Sequence, residues 1–343
     1  MSARSTAEAP PIAGLETRAY RAGDAAIVSD LNNRGDEADG VEWRSSPEET
    51  AAWLERSNDQ FDVTRDLQIV ELEGVPVAYT EVEWVDTTDG LREYRLGAMV
   101  HPDWRRRGIG RWLLRGMEDH ARKLAGLYQT ERPSVVGAWN PDSRTGKRIL
   151  LEQEGYGPVR FFFDMVRPHL EGVELPPLPE GLEVRPVLPE AYRQLWAADV
   201  EAFQDHWGGF DGSEAVYQSW LKDPKFDPGL LVVAWDGEEI AGGVMNQISP
   251  TENAAFNRQR GWLQSVFVRR PWRRRGLARA LVGHSLALLR ERGMTSAGLG
   301  VDADNPNAAT RLYEDAGFEV DFRSTAYRKP MELNAPEPGA QRA

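Results

Sequence analysis

An arginine-rich loop lies between an apolar strand and the start of a helix. Residues 262–268 are apolar and β-branched, as in a short strand, and from Gly276 onward apolar residues recur at helical spacing. The N–H groups of a first helical turn lack intrahelical partners, and the arginines there oppose the helix dipole. A bound anion resolves both problems, so the loop 273–276 predicts a phosphate site. Its glycine lets the backbone approach the ligand closely.

The same arrangement occurs earlier in the chain. Three arginines, 105–107, precede Gly108 in the same strand, loop and helix context, and 168 positions separate Gly108 from Gly276. One arginine triplet alone is as well explained by a solvated charged surface. Two copies in one context favour a repeated binding loop.

The elements around these loops are also repeated. Arg18 and Arg185 open two similar strand-to-helix segments, and Gly74 and Gly237 mark two similar hairpin turns. The spacing is about 165 residues throughout, too long for a solenoid repeat, so each copy is expected to be a domain. The predicted bounds are a tail at 1–13, a domain at 14–168, a proline-rich linker at 169–180, a domain at 181–333 and a tail at 334–343.

Composition narrows the classes of function. The chain has 343 residues, enough for two domains, and no segment long and apolar enough for a membrane helix or an export signal, so a cytoplasmic location is expected. Without cysteine it has no thiolate metal site and no cysteine nucleophile, and its five histidines lack metal-ligand spacing. The net charge of −13 disfavours nucleic acid as a partner.

Together, these features resemble the GNAT N-acetyltransferase superfamily. Its loop has Gln or Arg, then Gly three residues on and Gly or Ala two further, matched by Arg105, Gly108 and Gly110 and by Arg273, Gly276 and Ala278. The resemblance implies a mixed α/β fold in two tandem domains, with acetyl-CoA (coenzyme A) as cofactor. The implied cofactor-binding residues of the second repeat are Val266, Phe267, Val268, Arg273, Arg274, Arg275, Gly276, Leu277, Ala278 and Arg279. Those of the first repeat are Met99, Val100, Arg105, Arg106, Arg107, Gly108, Ile109 and Gly110.

A second motif of this family appears in the later repeat only. Residues 305–318 read Asn-x-Asn-Ala-Ala-x-x-Leu-Tyr-x-x-x-Gly-Phe. Helix capping alone would explain the asparagines. The resemblance implies instead that Asn305 and Asn307 lie at the cofactor and that Tyr313 protonates the departing thiolate. In the first repeat the tyrosine position holds Leu151. That repeat is therefore expected to support the active one, with or without a cofactor of its own.

The general base is not identified by the motifs. Many family members carry a glutamate fourteen residues before the loop glycine, where this chain has Trp262 and, in the first repeat, Tyr94. An alkylammonium must lose a proton before it attacks. The candidates, within one segment, are Asp199, Glu201, Asp205 and His206.

The sequence thus predicts an N-acetyltransferase acting on a primary amine of a small molecule by direct attack. Two alternatives stay open. The tandem layout and Ser324-Thr-Ala-Tyr327 resemble the mycothiol synthases, which implies a cysteinyl amine as acceptor. A non-catalytic acyl-CoA-binding or regulatory protein would use the same pockets. Monomer and homodimer are both open.

Overall fold

The computed structural model describes residues 10, 12–54, 58–204, 206–209, 211–304 and 309–332. The elements of the first repeat are β1 (Leu15–Ala19), α1 (Ala25–Ala38), α2 (Pro47–Leu54), α3 (Val63–Asp66), β2 (Leu67–Leu72), β3 (Val75–Asp86), β4 (Arg92–Val100), α4 (Ile109–Leu127), β5 (Ser134–Pro141), α5 (Thr145–Gln153) and β6 (Gly157–Arg167). Those of the second are β7 (Glu183–Val184), α6 (Tyr192–Phe203), α7 (Glu214–Lys222), β8 (Leu231–Asp236), β9 (Glu239–Ile248), α8 (Pro250–Ala255), β10 (Arg260–Val268), α9 (Leu277–Glu291), β11 (Ser296–Asp302), α10 (Ala309–Asp315) and β12 (Glu319–Pro330).

The two predicted hairpins are confirmed. Strands β2 and β3 pair antiparallel, as do β8 and β9. Glu73 and Gly74 both have positive φ, 50° and 81°, as the central residues of a type I′ turn require. Gly237 has a φ of 57° at the equivalent turn. The tight turns fix the register of each hairpin and so the direction of the strand that follows it.

The described strands form one continuous mixed sheet. Its order is β1-β2-β3-β4-β5-β12-β6-β11-β10-β9-β8-β7. Strand β4 runs parallel to β5 and β10 runs parallel to β11, whereas the remaining neighbours are antiparallel. The sheet therefore crosses from one repeat to the other without an edge between them.

The last strand of each repeat lies within the other repeat's part of the sheet. Strand β12, from the second repeat, is inserted between β5 and β6, so that Thr325 faces both Asn140 and Phe161. Strand β6, from the first repeat, pairs with β11, where Asp164 faces Gly300. The sequence predicted two tandem domains and not this exchange, because the last strands of the two repeats can exchange places without any change in the local pattern.

Helices cover both faces of the sheet. On one face, Met165 of β6 packs in a core cluster with α9, and Tyr327 of β12 packs in a cluster with α4. On the other face, α1 packs with Tyr79 and α6 packs with Phe267. We call these the α4/α9 face and the α1/α6 face. None of the helices in the described ranges is long and apolar enough to cross a membrane.

The segment between the repeats packs on the second repeat. Leu170 is buried in the cluster around α9, and Val173 and Leu178 pack against that cluster. A Cβ on Gly283 of α9 would lie 2.7 Å from Pro176. This contact fits the semi-rigid linker predicted at 169–180, although the domain bounds remain predictions. At the first predicted tail, Ile12 packs against a core cluster, and most of both tails lies outside the described residues.

Candidate active site

Both arginine loops adopt the same unusual backbone. The middle arginine has a positive φ, 62° at Arg106 and 61° at Arg274, and the following glycines have φ of 85° and 86°. Helices α4 and α9 begin directly after Gly108 and Gly276. Left-handed residues in such a turn aim successive N–H groups into a concavity that binds anions. Positive φ at a non-glycine residue costs about 1–3 kcal/mol and marks functional loops.

The first arginine of each triplet holds the loop to the sheet. Arg273 donates from Nε to the Val268 carbonyl at 2.9 Å and from Nη2 to the Ala202 carbonyl at 3.2 Å. Arg105 makes the matching bond to the Val100 carbonyl at 3.1 Å. These side chains therefore fix the position of the strand end against the loop.

The side chains of the remaining loop arginines make different contacts. Arg274 lines the cavity described below. Arg275 donates to the Glu180 carbonyl at 3.3 Å, and Arg279 forms an ion pair with Asp315 at 2.7 Å. Arg107 stacks on Trp104, with 4.4 Å from its guanidinium carbon to the ring centre. Arg274 is therefore placed to add charge to the backbone site.

The sheet opens beside each loop. Strand β10 pairs with β11 only from Arg260 to Trp262, and its later residues pair with β9 alone. A bulge between Leu263 and Ser265 leaves Gln264 without a partner in the register. In the first repeat, β4 and β5 also separate after Arg95, but β4 pairs with β3 without a bulge. The bulge is thus a feature of the second repeat, and no sequence signal announces it.

A cavity of about 770 Å³ fills the opening in the second repeat. It is lined from the α4/α9 face by Leu277 and Tyr313 and from the α1/α6 face by Phe203 and His206. It therefore passes between the separated strands and is reachable from both faces. The predicted cofactor residues that line it are Val266, Phe267, Val268, Arg273, Arg274, Gly276, Leu277, Ala278, Arg279 and Tyr313.

The first repeat has a cavity of its own, of about 610 Å³. Of the residues predicted there, those that line it are Met99, Val100, Arg105, Arg106, Gly108 and Gly110. Ile109 is instead buried in the core. Leu151 lies in the cavity wall and is 1% exposed. This cavity offers an anion loop but no hydroxyl at the position of Tyr313.

Tyr313 is buried in α10 with its ring edge-on to Phe318, at 6.0 Å between ring centres. Burial raises the pKa of Tyr313 to about 12, so the hydroxyl stays protonated at neutral pH. In the described part of the chain its hydroxyl has no hydrogen-bond partner, and the residue lines the cavity. A buried donor without a partner is suited to a ligand atom. Asn305 and Asn307 lie outside the described residues.

The base candidates from the sequence are dispersed. His206 lines the cavity. Glu201 forms an ion pair with Arg269 at 2.9 Å, outside the cavity wall. Asp199 is buried, which raises its pKa to about 7, and it accepts a 2.6 Å hydrogen bond from Ser265. Asp205 lies outside the described residues. Of the three candidates that the structure describes, His206 is the one in the same cavity as Tyr313.

The family's glutamate position is occupied by an indole. A Cβ on Gly298 would lie 2.7 Å from the Trp262 ring, so the ring covers that glycine. In the first repeat, counting residues points to Tyr94, but Tyr94 is fully buried in the core next to α4. Because β4 lacks the bulge, the residue equivalent to Trp262 is Arg95, which pairs with Gly137 as Trp262 pairs with Gly298.

The first repeat completes the wall of the second repeat's cavity. Trp139 of β5 and Phe162 and Asp164 of β6 line it. The rings of Trp139 and Phe162 lie 5.2 Å apart, and Trp139 is 50% exposed. Sequence reasoning missed these residues, because only the strand exchange brings them there.

The loop that carries His206 is held by the first repeat. Thr88 donates from its hydroxyl to the His206 carbonyl at 2.9 Å, and Arg95 donates to the Gly208 carbonyl. Arg328 stacks over Trp207, with 4.3 Å from its guanidinium carbon to the ring centre. Residues 206–209 are therefore fixed at the mouth of the cavity on the α1/α6 face.

An anion loop at a helix start, beside a sheet that opens around a buried tyrosine, defines an acyltransferase fold of the kind that uses acyl-coenzyme A. The chain belongs to the acetyltransferase (GNAT) family, whose profile matches residues 31–140 and 191–318. It is an N-acetyltransferase with two tandem GNAT regions in one mixed α/β sheet.

Relatives match nearly the whole chain. A mycothiol acetyltransferase of Geodermatophilus obscurus is 32% identical over 94% of this chain and 99% of its own. That of Salinispora tropica is 29% identical over 90% of each. The crystal structure of a GCN5-related N-acetyltransferase from Sphaerobacter thermophilus superposes with a TM-score of 0.69 at 30% identity, covering 93% of this chain and 96% of its own. A tandem GNAT protein of the clavulanic acid pathway, at 17% identity, shows the same fold (TM-score 0.69, coverage 93% and 99%).

Proposed function

We propose that the protein transfers an acetyl group from acetyl-CoA to a primary amine of a small molecule, and that the second repeat is the catalytic one. The observation that carries this proposal is the Tyr313 hydroxyl, which has no hydrogen-bond partner among the described residues and lies in a cavity that opens on both faces of the sheet. The first repeat has Leu151 at that position, and leucine cannot donate a proton. Openings on two faces let donor and acceptor approach separately, which suits direct transfer.

Each part of the cavity has a distinct role in this proposal. Bound coenzyme A supplies the acetyl thioester. The N–H groups after Arg274 bind its diphosphate. The free edge of β10 at Val266–Val268 pairs with the pantetheine arm as an added strand would. The Tyr313 hydroxyl protonates the sulfur as the C–S bond breaks.

The test is release of free thiol from acetyl-CoA in the presence of a panel of primary amines. Because the chain contains no cysteine, a thiol reagent detects only released coenzyme A. Tyr313→Phe is expected to lower kcat by about 10²–10⁴-fold, the usual contribution of a general acid. Binding of coenzyme A, measured by calorimetry, should change little.

Tyr217→Phe is the matched control, since Tyr217 is equally buried, 6% exposed, and lies outside the cavity wall. Its activity should equal that of the wild type. If no amine gives turnover while the wild type and Tyr313→Phe bind coenzyme A equally, the protein is a non-catalytic acyl-CoA binder.

A second candidate concerns the acceptor. The relatives named mycothiol acetyltransferases match over nearly their full length. The corresponding reaction here would be acetylation of a cysteinyl amine of a mycothiol precursor. Because a cysteinyl amine has a thiol of its own, its turnover is measured by chromatography of the N-acetylated product. A kcat/KM no higher than that of simple alkylamines would contradict this second candidate.

A further inference from the structure

The proposed reaction needs a base, and the position that many family members use holds Trp262. An alkylammonium has a pKa of about 10.4, so nearly all of it is protonated at pH 7 and cannot attack a thioester. A residue that removes this proton is required only if the proposed function holds, and the inference about its identity rests on that function.

Asp164 lies in the cavity beside the opening of the sheet. Its strand partners are Gly300 on β11 and Phe322 on β12. A Cβ on Gly300 would lie 3.6 Å from the Asp164 Oδ1 atom, so the missing side chain leaves room over the carboxylate. Asp164 and Tyr313 both line the cavity. Phe163 and Met165, the neighbours of Asp164 on β6, pack in the same cluster as Tyr313, so strand alternation places Asp164 on the opposite face of the sheet. An acid and a base are thus available from the two faces.

The first repeat lacks this arrangement at the equivalent position. The last pair before the strands separate is Arg95 with Gly137 in the first repeat and Trp262 with Gly298 in the second. Two residues after Gly137 on β5 is Trp139, which faces Ala326. Two residues after Gly298 on β11 is Gly300, which faces Asp164. In the first repeat, the Trp139 indole therefore takes the place of the open space at Gly300, and the Ala326 methyl group takes the place of the Asp164 carboxylate. The difference coincides with the loss of the tyrosine.

The surroundings of Asp164 suit the binding of a cation. Burial raises its pKa to about 6, the Trp43 side chain lowers it through a hydrogen bond, and the carboxylates of Asp321 and Glu252 raise it. None of these interactions comes from a cation. The carboxylate is thus ionised at pH 7 and, within the described ranges, forms no ion pair of its own. His206, in the same cavity, would be a cation when protonated and is the rival base.

We infer that Asp164, supplied to the second repeat by the exchanged strand β6, is the general base of acetyl transfer. Its carboxylate takes one proton from the substrate ammonium. The freed nitrogen lone pair forms the N–C bond at the thioester carbonyl carbon, and the C–S bond breaks. Tyr313 gives its proton to the sulfur, and the second proton of the nitrogen restores the Tyr313 hydroxyl. The proton on Asp164 passes to solvent, so the charges balance.

The experiment is a pH profile of kcat/KM for the wild type and Asp164→Asn. The wild-type rate should fall tenfold per pH unit below about pH 6, where Asp164 is protonated. In Asp164→Asn this acidic limb of the pH profile should be absent, and kcat/KM at pH 7 should be about 10²–10⁴-fold lower than in the wild type. Calorimetric affinity for coenzyme A should stay within twofold. An unchanged limb and activity within threefold of the wild type would overturn the inference.

Two further variants separate the base from a structural role. Asp321→Asn removes a like charge that raises the pKa of Asp164, so the limb should move to lower pH while the maximal rate is kept. His206→Asn should keep the limb in place. If His206→Asn loses the limb and Asp164→Asn keeps it, the base is His206 and the inference about Asp164 is wrong.

A measurement without turnover keeps the two proposals apart. The carbon-13 resonance of the Asp164 carboxyl carbon, assigned with Asp164→Asn, should titrate with a midpoint near pH 6 in the wild type. A midpoint below pH 4 would overturn the inference. Absence of thiol release with every amine would instead contradict the proposed function, whatever this midpoint.

Discussion

Tyr313 and Leu151 occupy matching places in two cavities but differ in chemistry. Both side chains are almost fully buried, at 6% and 1% exposure. Burial holds the pKa of Tyr313 at about 12, whereas burial sets that of Asp164 at about 6. At neutral pH one group is a donor and the other an acceptor, because their surroundings separate the two pKa values. Of the two cavities, only that of the second repeat is lined by such a pair among the residues that the structure describes, and the first repeat supplies its carboxylate.

A different carboxylate, Asp66, is expected to matter for stability. It accepts hydrogen bonds from Arg65 at 2.6 Å and from His120 at 2.8 Å, and its side chain is fully buried. Burial alone would raise its pKa, but the hydrogen bonds from His120 and Arg65 hold that pKa below its usual value. Asp66→Asn should lower the free energy of unfolding at pH 7 by roughly 3–5 kcal/mol, measured by urea denaturation.

This effect has a defined pH dependence. The native state favours the ionised carboxylate, so its stabilisation is present above the unfolded pKa, about 3.9, and is lost as pH falls through the lower folded value. The difference between wild type and Asp66→Asn should therefore shrink below about pH 4. Asp30→Asn, in an exposed pair with Arg34, is the control and should change stability little. An equal loss in both variants would contradict the prediction.

The loop before α9 requires glycine at position 276 because of its backbone conformation and not because space for a side chain is lacking. No atom lies within 4 Å of a Cβ placed on Gly276, yet its φ is 86°. Gly293, after α9 ends, has a φ of 83° and equally open space. Two glycines with the same strain at opposite ends of one helix provide a matched pair.

Replacing either glycine by alanine should cost about 1–2 kcal/mol of stability, because both sites are left-handed. Only Gly276→Ala should also weaken coenzyme A binding, by about 10- to 100-fold, since a lost hydrogen bond to a charged group is worth about 1.5–3 kcal/mol. Calorimetry measures both affinities. Equal affinities in the two variants would remove the loop from the binding site. The calorimetric affinity of Gly108→Ala for coenzyme A tests whether the loop of the first repeat also binds the cofactor.

The sequence predicted the elements and loops well, because both depend on neighbouring residues. Apolar spacing, turn glycines and the arginine triplets are local signals, and Tyr313 lies in a local motif. Asp164 and Trp139 carry no such signal. They reach the second cavity through pairing between distant strands, and the bulge beside Gln264 has no sequence mark.

The strand exchange makes the whole molecule one folding unit. Strand β12 pairs on both sides with strands of the first repeat, and β6 continues the sheet into β11. A protease site inserted between Glu171 and Gly172, both exposed, would cut between the repeats. After cleavage the fragments should elute together at the intact mass and unfold in a single transition. Fragments that separate without denaturant would contradict this; the uncut insertion variant is the control.

The reciprocal placement of β6 and β12 also bears on the history of the chain. Under the proposed function, a gene doubled in this way cannot lose its first copy, because the deletion would remove β6, and Asp164 with it, from the cavity of the second repeat. The first copy is then retained for the strand and the side chains that it contributes to the second, whether or not it keeps a reaction of its own.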